Sequence, residues 1–225
     1  ELKKYFEYQH CLNYLHDFVQ KFYGIELREI STPVYDPEVK VYEVYQNDSL
    51  IAYYMLDAFY RTEKRGWAWA DTPRSWEYMS AYKKVPVVVN VCNFQKGSDA
   101  ILLTLGDVET LFHEFGHALH EMLSLSPYSE LSGFWVEWDF VELPSQLLEN
   151  WVHDTHSMSL LWKHYQTGAP IPKNILSTLD TLKTFMSGYW TLRQNEFALL
   201  DMHLYSQDIP ATVSELDNQT LTLIN

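Results

Sequence analysis

The sequence predicts an α+β fold, mainly α with a small β-sheet. Apolar residues recur at helical spacing through residues 3–23, 107–126, 157–166 and 173–205. Three short β-type runs, 39–46, 50–57 and 85–94, lie between the first two of those stretches. A chain of 225 residues buries a real core without disulfide staples. It reads as one region, 1–225, with helix, hairpin and edge strand in 1–105 and a succession of helices in 106–225.

The elements follow in order. Residues 3–23 place Tyr8, Leu12, Leu15, Phe18, Val19 and Phe22 on one broad helical face, and Gly24 is the natural stop. Ser31-Thr32-Pro33 and Asp36-Pro37 mark a loop. Residues 39–46 and 50–57 form a hairpin around Asn47-Asp48. The polar stretch 61–84, containing Pro73, reads as a long loop or short helix. Residues 85–94 are β-branched and apolar, bounded by Pro86 and Gly97. Edge and interior positions both suit this strand, with Pro86 fitting an edge slightly better. Gly106-Asp107 opens the next helix with Asp107 as its N-cap and Glu109 in its first turn, and Pro127 closes it. Helices at 157–166 and 173–205 flank Gly168-Ala169-Pro170-Ile171-Pro172, and Gly188 interrupts the second. The tail 206–225, with Pro210, has only a weak helical pattern, and no internal repeat occurs.

The helix at 107–126 carries His113-Glu114-Phe115-Gly116-His117, a complete H-E-x-x-H. Positions i and i+4 project from one face about 6 Å apart along the axis, so two imidazoles can share one metal ion. Glu114 flanks that face, where it can reach a metal-bound water without ligating the metal. Two histidines and a glutamate on an otherwise apolar helix are expensive to bury without a partner, and a metal supplies one.

Such a site needs a third protein ligand and an open position. The extension that adds a third histidine requires glycine and histidine where this chain has His120 and Leu123, and is excluded. The other extension takes a glutamate from a following helix. Glu142 is that candidate, 25 residues past His117, with the loop Ser124–Gly133 turning the chain back. Pro144 suits the first turn of the second helix, which puts Glu142 at its entrance. His120 lies about 10 Å along the axis from His113, too far to share a tetrahedral ion with it. A His117/His120 pair would leave Glu114 behind the metal, so His120 reads as a packed or hydrogen-bonded histidine. Asp139, Glu149 and Glu109 are candidates for orienting the ligand histidines. Each also reads, on its own, as a surface or capping carboxylate.

The segment Asp107–His117 resembles the thimet oligopeptidase family of zinc metallopeptidases, as does Asp139-Phe140-Val141-Glu142-Leu143-Pro144-Ser145-Gln146 with Glu149-Asn150-Trp151. The likeness extends to Lys64-Arg65-Gly66-Trp67-Ala68-Trp69, Pro86–Phe94 and Leu192–Asp201, and so covers essentially the whole chain. It leans toward the oligopeptidase A and peptidyl-dipeptidase branch. The resemblance implies a zincin-like core in which the H-E-x-x-H helix packs beside an edge strand and a glutamate-bearing second helix. It implies one Zn²⁺ per chain held by His113, His117 and Glu142, Glu114 as general base on the metal-bound water, and short peptides as substrates. Zincins run an extended peptide along an edge strand, and residues 85–94 are the strand expected to line that groove. Family members are much longer, with a helical region before this part and a glycine- and tyrosine-rich segment after it. The chain opens Glu1-Leu2-Lys3 without methionine. It is therefore expected to be an excised catalytic core whose partners include the missing N- and C-terminal segments.

Composition bounds the rest. A net charge of −14 disfavours nucleic acid and anionic membranes as partners. No apolar run has membrane-spanning length. Cys11 and Cys92 form no zinc-spaced pair and read as buried thiols of a reducing compartment, giving an expected cytoplasmic monomer. Serine and cysteine hydrolase readings lack their motifs. Two alternatives stay open: a structural zinc site closed by His120, and a catalytically silent fragment. An aromatic content of 16% serves either a heavy core or exposed apolar patches.

Overall fold

The structure, a computed structural model, describes residues 2–79, 82–126, 128–206, 212 and 214–215. Pro127 and most of the 206–225 tail, including Pro210, lie outside the described residues. The α+β expectation holds: the described residues form six α-helices, a five-stranded mixed sheet and a separate two-stranded ribbon. The chain forms two compact units, Glu1–Pro172 and Lys173–Asn225.

The first helical stretch divides. A short 3-10 turn, Leu2–Tyr5, precedes helix α1, Tyr8–Tyr23. Glu7 caps α1 by accepting the His10 N–H at 2.8 Å, and Gly24, at φ +65°, closes it in the left-handed conformation. Strands β1 (Ile25–Ile30), β2 (Lys40–Gln46) and β3 (Ser49–Phe59) form an antiparallel meander. Asn47 and Asp48 both take positive φ, 49° and 59°, as the tight turn between β2 and β3 requires.

The polar stretch 61–84 is neither loop nor helix throughout. It contains β4 (Trp69–Arg74), and β5 (Glu77–Met79) pairs with β6 (Tyr82–Lys84) in a separate ribbon. Strand β7, Val87–Phe94, completes the main sheet in the order β1-β2-β3-β7-β4. It runs parallel to β3 and antiparallel to β4. The strand expected at an edge is therefore interior, and β4 is the edge. Pro86 does not prevent this, because it precedes the strand and its carbonyl accepts the Tyr53 N–H at 2.9 Å.

A buried clamp delivers the chain to β4. Asp57, 2% exposed, accepts from Arg61 and Tyr35. Lys64 donates to the Asp57 carboxylate at 2.9 Å and to the Asp57 and Phe59 carbonyls at 2.8 Å each. Asn93 holds the Arg65 and Trp67 carbonyls, and Trp67 adopts φ +72° with its side chain exposed.

Helix α2 spans Leu105–Leu123 and packs on β7, β4 and β3. The core between helices and sheet is aromatic: Tyr54 meets Phe115 edge-on at 5.1 Å, and Phe6 meets Trp162 at 5.1 Å. Both cysteines are free and buried, as expected. Helix α3 (Leu143–His153) lies against α2, and α4 (Thr155–Leu161) ends before the fully buried Trp162, earlier than the sequence pattern indicates.

The second unit holds α5 (Lys173–Thr184) and α6 (Ser187–Ser206). The break falls at Met186, φ +60°, rather than at Gly188, which is inside α6. Among the described residues no helix is long and apolar enough to cross a membrane.

Candidate metal centre

Helix α2 begins with a capping box one turn earlier than Asp107 suggested. The Thr104 hydroxyl accepts the Asp107 N–H at 3.0 Å, and the Asp107 carboxylate accepts the Thr104 N–H at 2.8 Å. Val108, Leu111, Phe112, Phe115, Ala118, Leu119 and Met122 then bury one face. The adjoining side of the helix carries His113, Glu114 and His117, of which Glu114 is 6% and His117 9% exposed.

Asn90, in the middle of β7, sets the depth of this helix. Its amide accepts the Tyr54 hydroxyl at 2.9 Å and donates to the Glu114 carbonyl at 2.8 Å. Sequence reasoning missed this residue. Its signal was a lone amide within Val87-Val88-Val89-Asn90-Val91, since a buried polar side chain must find partners.

Helix α3 crosses α2 at Gly116. A Cβ there would meet the Pro144 carbonyl oxygen and the Ser145 Cα at 2.6 Å each, so only glycine permits this approach. Glu142 occupies the N-cap position of α3, with Pro144 in its first turn, as the sequence indicated. Ser145 Oγ donates to the Glu142 carboxylate at 2.7 Å and turns it toward α2.

The result is a cluster of three donors. One ligand atom from each of His113, His117 and Glu142 lies within 4.8 Å of the other two. Glu142 Oε2 is 3.3 Å from His113 Nε2 and 3.2 Å from His117 Nε2. The edge of a tetrahedron with metal–ligand bonds of 2.0–2.1 Å is about 3.4 Å, so this spacing and donor set fit a zinc ion. Glu149 contacts His113 Nδ1 at 2.5 Å, which orients Nε2 toward the cluster. Glu109 instead pairs with His153 at 3.0 Å, forming a second rung between α2 and α3. Asp139 is exposed and touches neither histidine. His120 lies outside the cluster, with its ring 6.1 Å from that of Phe140.

Burial pushes the Glu114 carboxyl up to about 7; His113 opposes that rise and Glu142 adds to it. One Glu114 oxygen is buried with no hydrogen-bond partner among the described residues. Burial also lowers His117 below its ordinary value, against the opposing pull of Glu142, and so favours the neutral ring that a metal ligand needs. Ala68, Trp69 and Ala70 around the start of β4 line a cleft over these residues, together with Phe134, Trp138 and Val141. This β4 wall was read from the sequence as loop or helix, and residues 85–94 were expected in its place.

Residues 1–223 match the model of peptidase family M3. The chain belongs to that family. Among its M3 relatives, oligopeptidase A of Salmonella typhimurium is 37% identical over 93% of this chain, and a probable cytosolic oligopeptidase A of Arabidopsis thaliana is 35% identical over 97%. Dipeptidyl carboxypeptidase of Escherichia coli is 34% identical over 97%. The chain spans about a third of the length of these curated relatives, 32%, 33% and 32% respectively. Membership of the M3 family agrees with the resemblance carried by Asp107–His117 and Asp139–Gln146.

Proposed function

We propose that this M3 chain carries the metal ligands and general base of a peptidase that hydrolyses peptide bonds in short peptides. The observation that carries the reading is the convergence of His113, His117 and Glu142 with Glu114 beside them. Zinc, when bound, supplies a Lewis acid that polarises the scissile carbonyl and acidifies water.

The chain's own residues do the rest. Glu149 holds the His113 ring by its Nδ1, and Ser145 holds the Glu142 carboxylate, so the ligands are set before substrate arrives. The Glu114 carboxylate takes a proton from the attacking water and passes it to the leaving amine. Its raised proton affinity in a mostly buried position suits both halves of that transfer. Among the described residues strand β4 has one partner in the sheet, β7, which leaves its other edge to pair with an extended peptide. That arrangement favours short, unfolded substrates over folded proteins.

The placement of His120 against Phe140 speaks against a closed structural zinc site, which needs a fourth protein ligand. The test is Glu114→Gln on zinc-loaded protein with an internally quenched peptide. Hydrolysis should fall by about 10²–10⁴-fold while zinc content stays at one per chain. Turnover at the wild-type rate would remove Glu114 from the mechanism.

A further inference from the structure

Beyond the cleft lies a second, larger hollow of about 890 Å³, bounded by the segment Glu130–Val141. The two adjoin: Phe134, Trp138 and Val141 line both. Its floor is apolar and unusually open. Trp138 is 92% exposed, Trp135 64% and Leu131 66%. Indoles held in water on one short segment are a costly arrangement unless something covers them.

The hollow also carries a charge signature. Glu130, Glu137 and Asp139 border it, all three exposed and, among the described residues, without an ion-pair partner. The segment itself carries no cation, since no Lys or Arg occurs between Lys96 and Lys163. Exposed carboxylates beside an apolar floor attract a ligand that is both greasy and positive. The segment is held in place from below. Gly133, φ +53°, passes over the buried Glu121 carboxylate, which accepts the Phe134 N–H at 3.3 Å.

We infer that this hollow is a side-chain subsite of the peptide groove, selecting substrates with a large apolar residue next to a basic one. The inference rests on the peptidase reading above, because the hollow adjoins the cleft over the metal ligands. The apolar residue covers the Trp135 and Trp138 indoles. The basic neighbour meets Glu137 and Asp139 at the rim.

The test is a set of equal-length, internally quenched alanine-based peptides carrying Lys–Phe, Glu–Phe or Lys–Ala, placed in turn on each side of the cleaved bond. On zinc-loaded wild-type protein, kcat/KM for the Lys–Phe peptide should exceed that for Lys–Ala by about tenfold on one side of the bond. It should exceed that for Glu–Phe by about tenfold at low salt, with the gap closing as salt is raised. Trp135→Ala should collapse the Phe/Ala ratio, and Glu137→Gln with Asp139→Asn should collapse the Lys/Glu ratio. Each ratio is taken on one protein sample, so a reduced folded fraction cancels. Equal rates for all three peptides, or ratios that survive the substitutions, overturn the subsite while leaving the peptidase reading intact. If no peptide is cleaved, the peptidase reading fails instead. Fluorescence anisotropy of the same labelled peptides then decides the subsite, which is lost if Lys–Phe binds no tighter than Glu–Phe.

Discussion

Glu149 holds His113 Nδ1 from the opposite helix, and that single contact decides which ring nitrogen faces the other donors. Glu149→Ala should weaken zinc binding by about 10–100-fold, measured by competition with a chromogenic chelator. Unchanged affinity would make the contact incidental. His16 supports a prediction on stability. It packs edge-on against Tyr42 at 5.1 Å, and its Nε2 is buried without a hydrogen-bond partner among the described residues. Burial, with Lys40 adding to it, lowers its pKa to about 4, against the opposing pull of Asp17 and Glu29. The unfolded chain takes up this proton near pH 6.5 and the folded chain does not. The His16 contribution is therefore complete above pH 6.5 and is lost as pH falls toward 4. The melting temperature of His16→Phe should fall less than wild type between pH 7 and 5, and parallel curves would contradict this. At this scale the sequence was most legible where chemistry is local. His113, Glu114 and His117 declare themselves by spacing. Asn90 does not, because its partners, Tyr54 and the Glu114 carbonyl, come from elements distant in the chain.

Helices α2 and α3 form the element pair on which the centre depends. Rungs at His113–Glu149 and Glu109–His153 join them, and Gly116 lets them touch. Gly116→Ala should push α3 outward, costing about 1–3 kcal/mol of stability and moving Glu142 away from the histidines. Chemical denaturation and zinc titration check both effects together, and a variant with unchanged midpoint and affinity would show the crossing to be loose. The N-terminus of α2 was misread because Asp107 is itself a good cap. Only the reciprocal bonds with Thr104 show that it is the third residue of a box. Strand β4 was hidden for a different reason. Among the described residues it pairs on one side only and buries none of its residues fully, so it needs no apolar alternation, and its composition looks like loop. Strand β7 was recognisable as a strand but not as interior, because parallel pairing with β3 leaves no local signature.

The first unit builds its core from residues that do not touch the metal cluster, among them Phe6, Leu12, Leu15, Tyr54, Phe112 and Trp162. Chelation should therefore lower the melting temperature without unfolding the protein. At free zinc a thousandfold above Kd the linkage is about 4 kcal/mol. A metal-free chain that loses its far-UV circular dichroism would contradict this. The high aromatic content serves both uses anticipated from composition. Phe112 and Trp162 are buried, whereas Trp67, Trp135 and Trp138 stand in solvent. The unit boundary at Pro172 falls at the Gly168–Pro172 break read from the sequence. Helix α6 buries none of its residues and exposes Tyr189, Trp190, Leu192, Phe197, Met202 and Tyr205. For the molecule as a whole, the most direct measurement is anomalous diffraction at the zinc edge from crystals of zinc-loaded protein. The predicted result is one peak per chain, bonded to Nε2 of His113, Nε2 of His117 and the carboxylate of Glu142, with Glu114 beside it and unbonded. A peak ligated by His120, or none among these three side chains, would contradict the metal centre and the hydrolysis built on it.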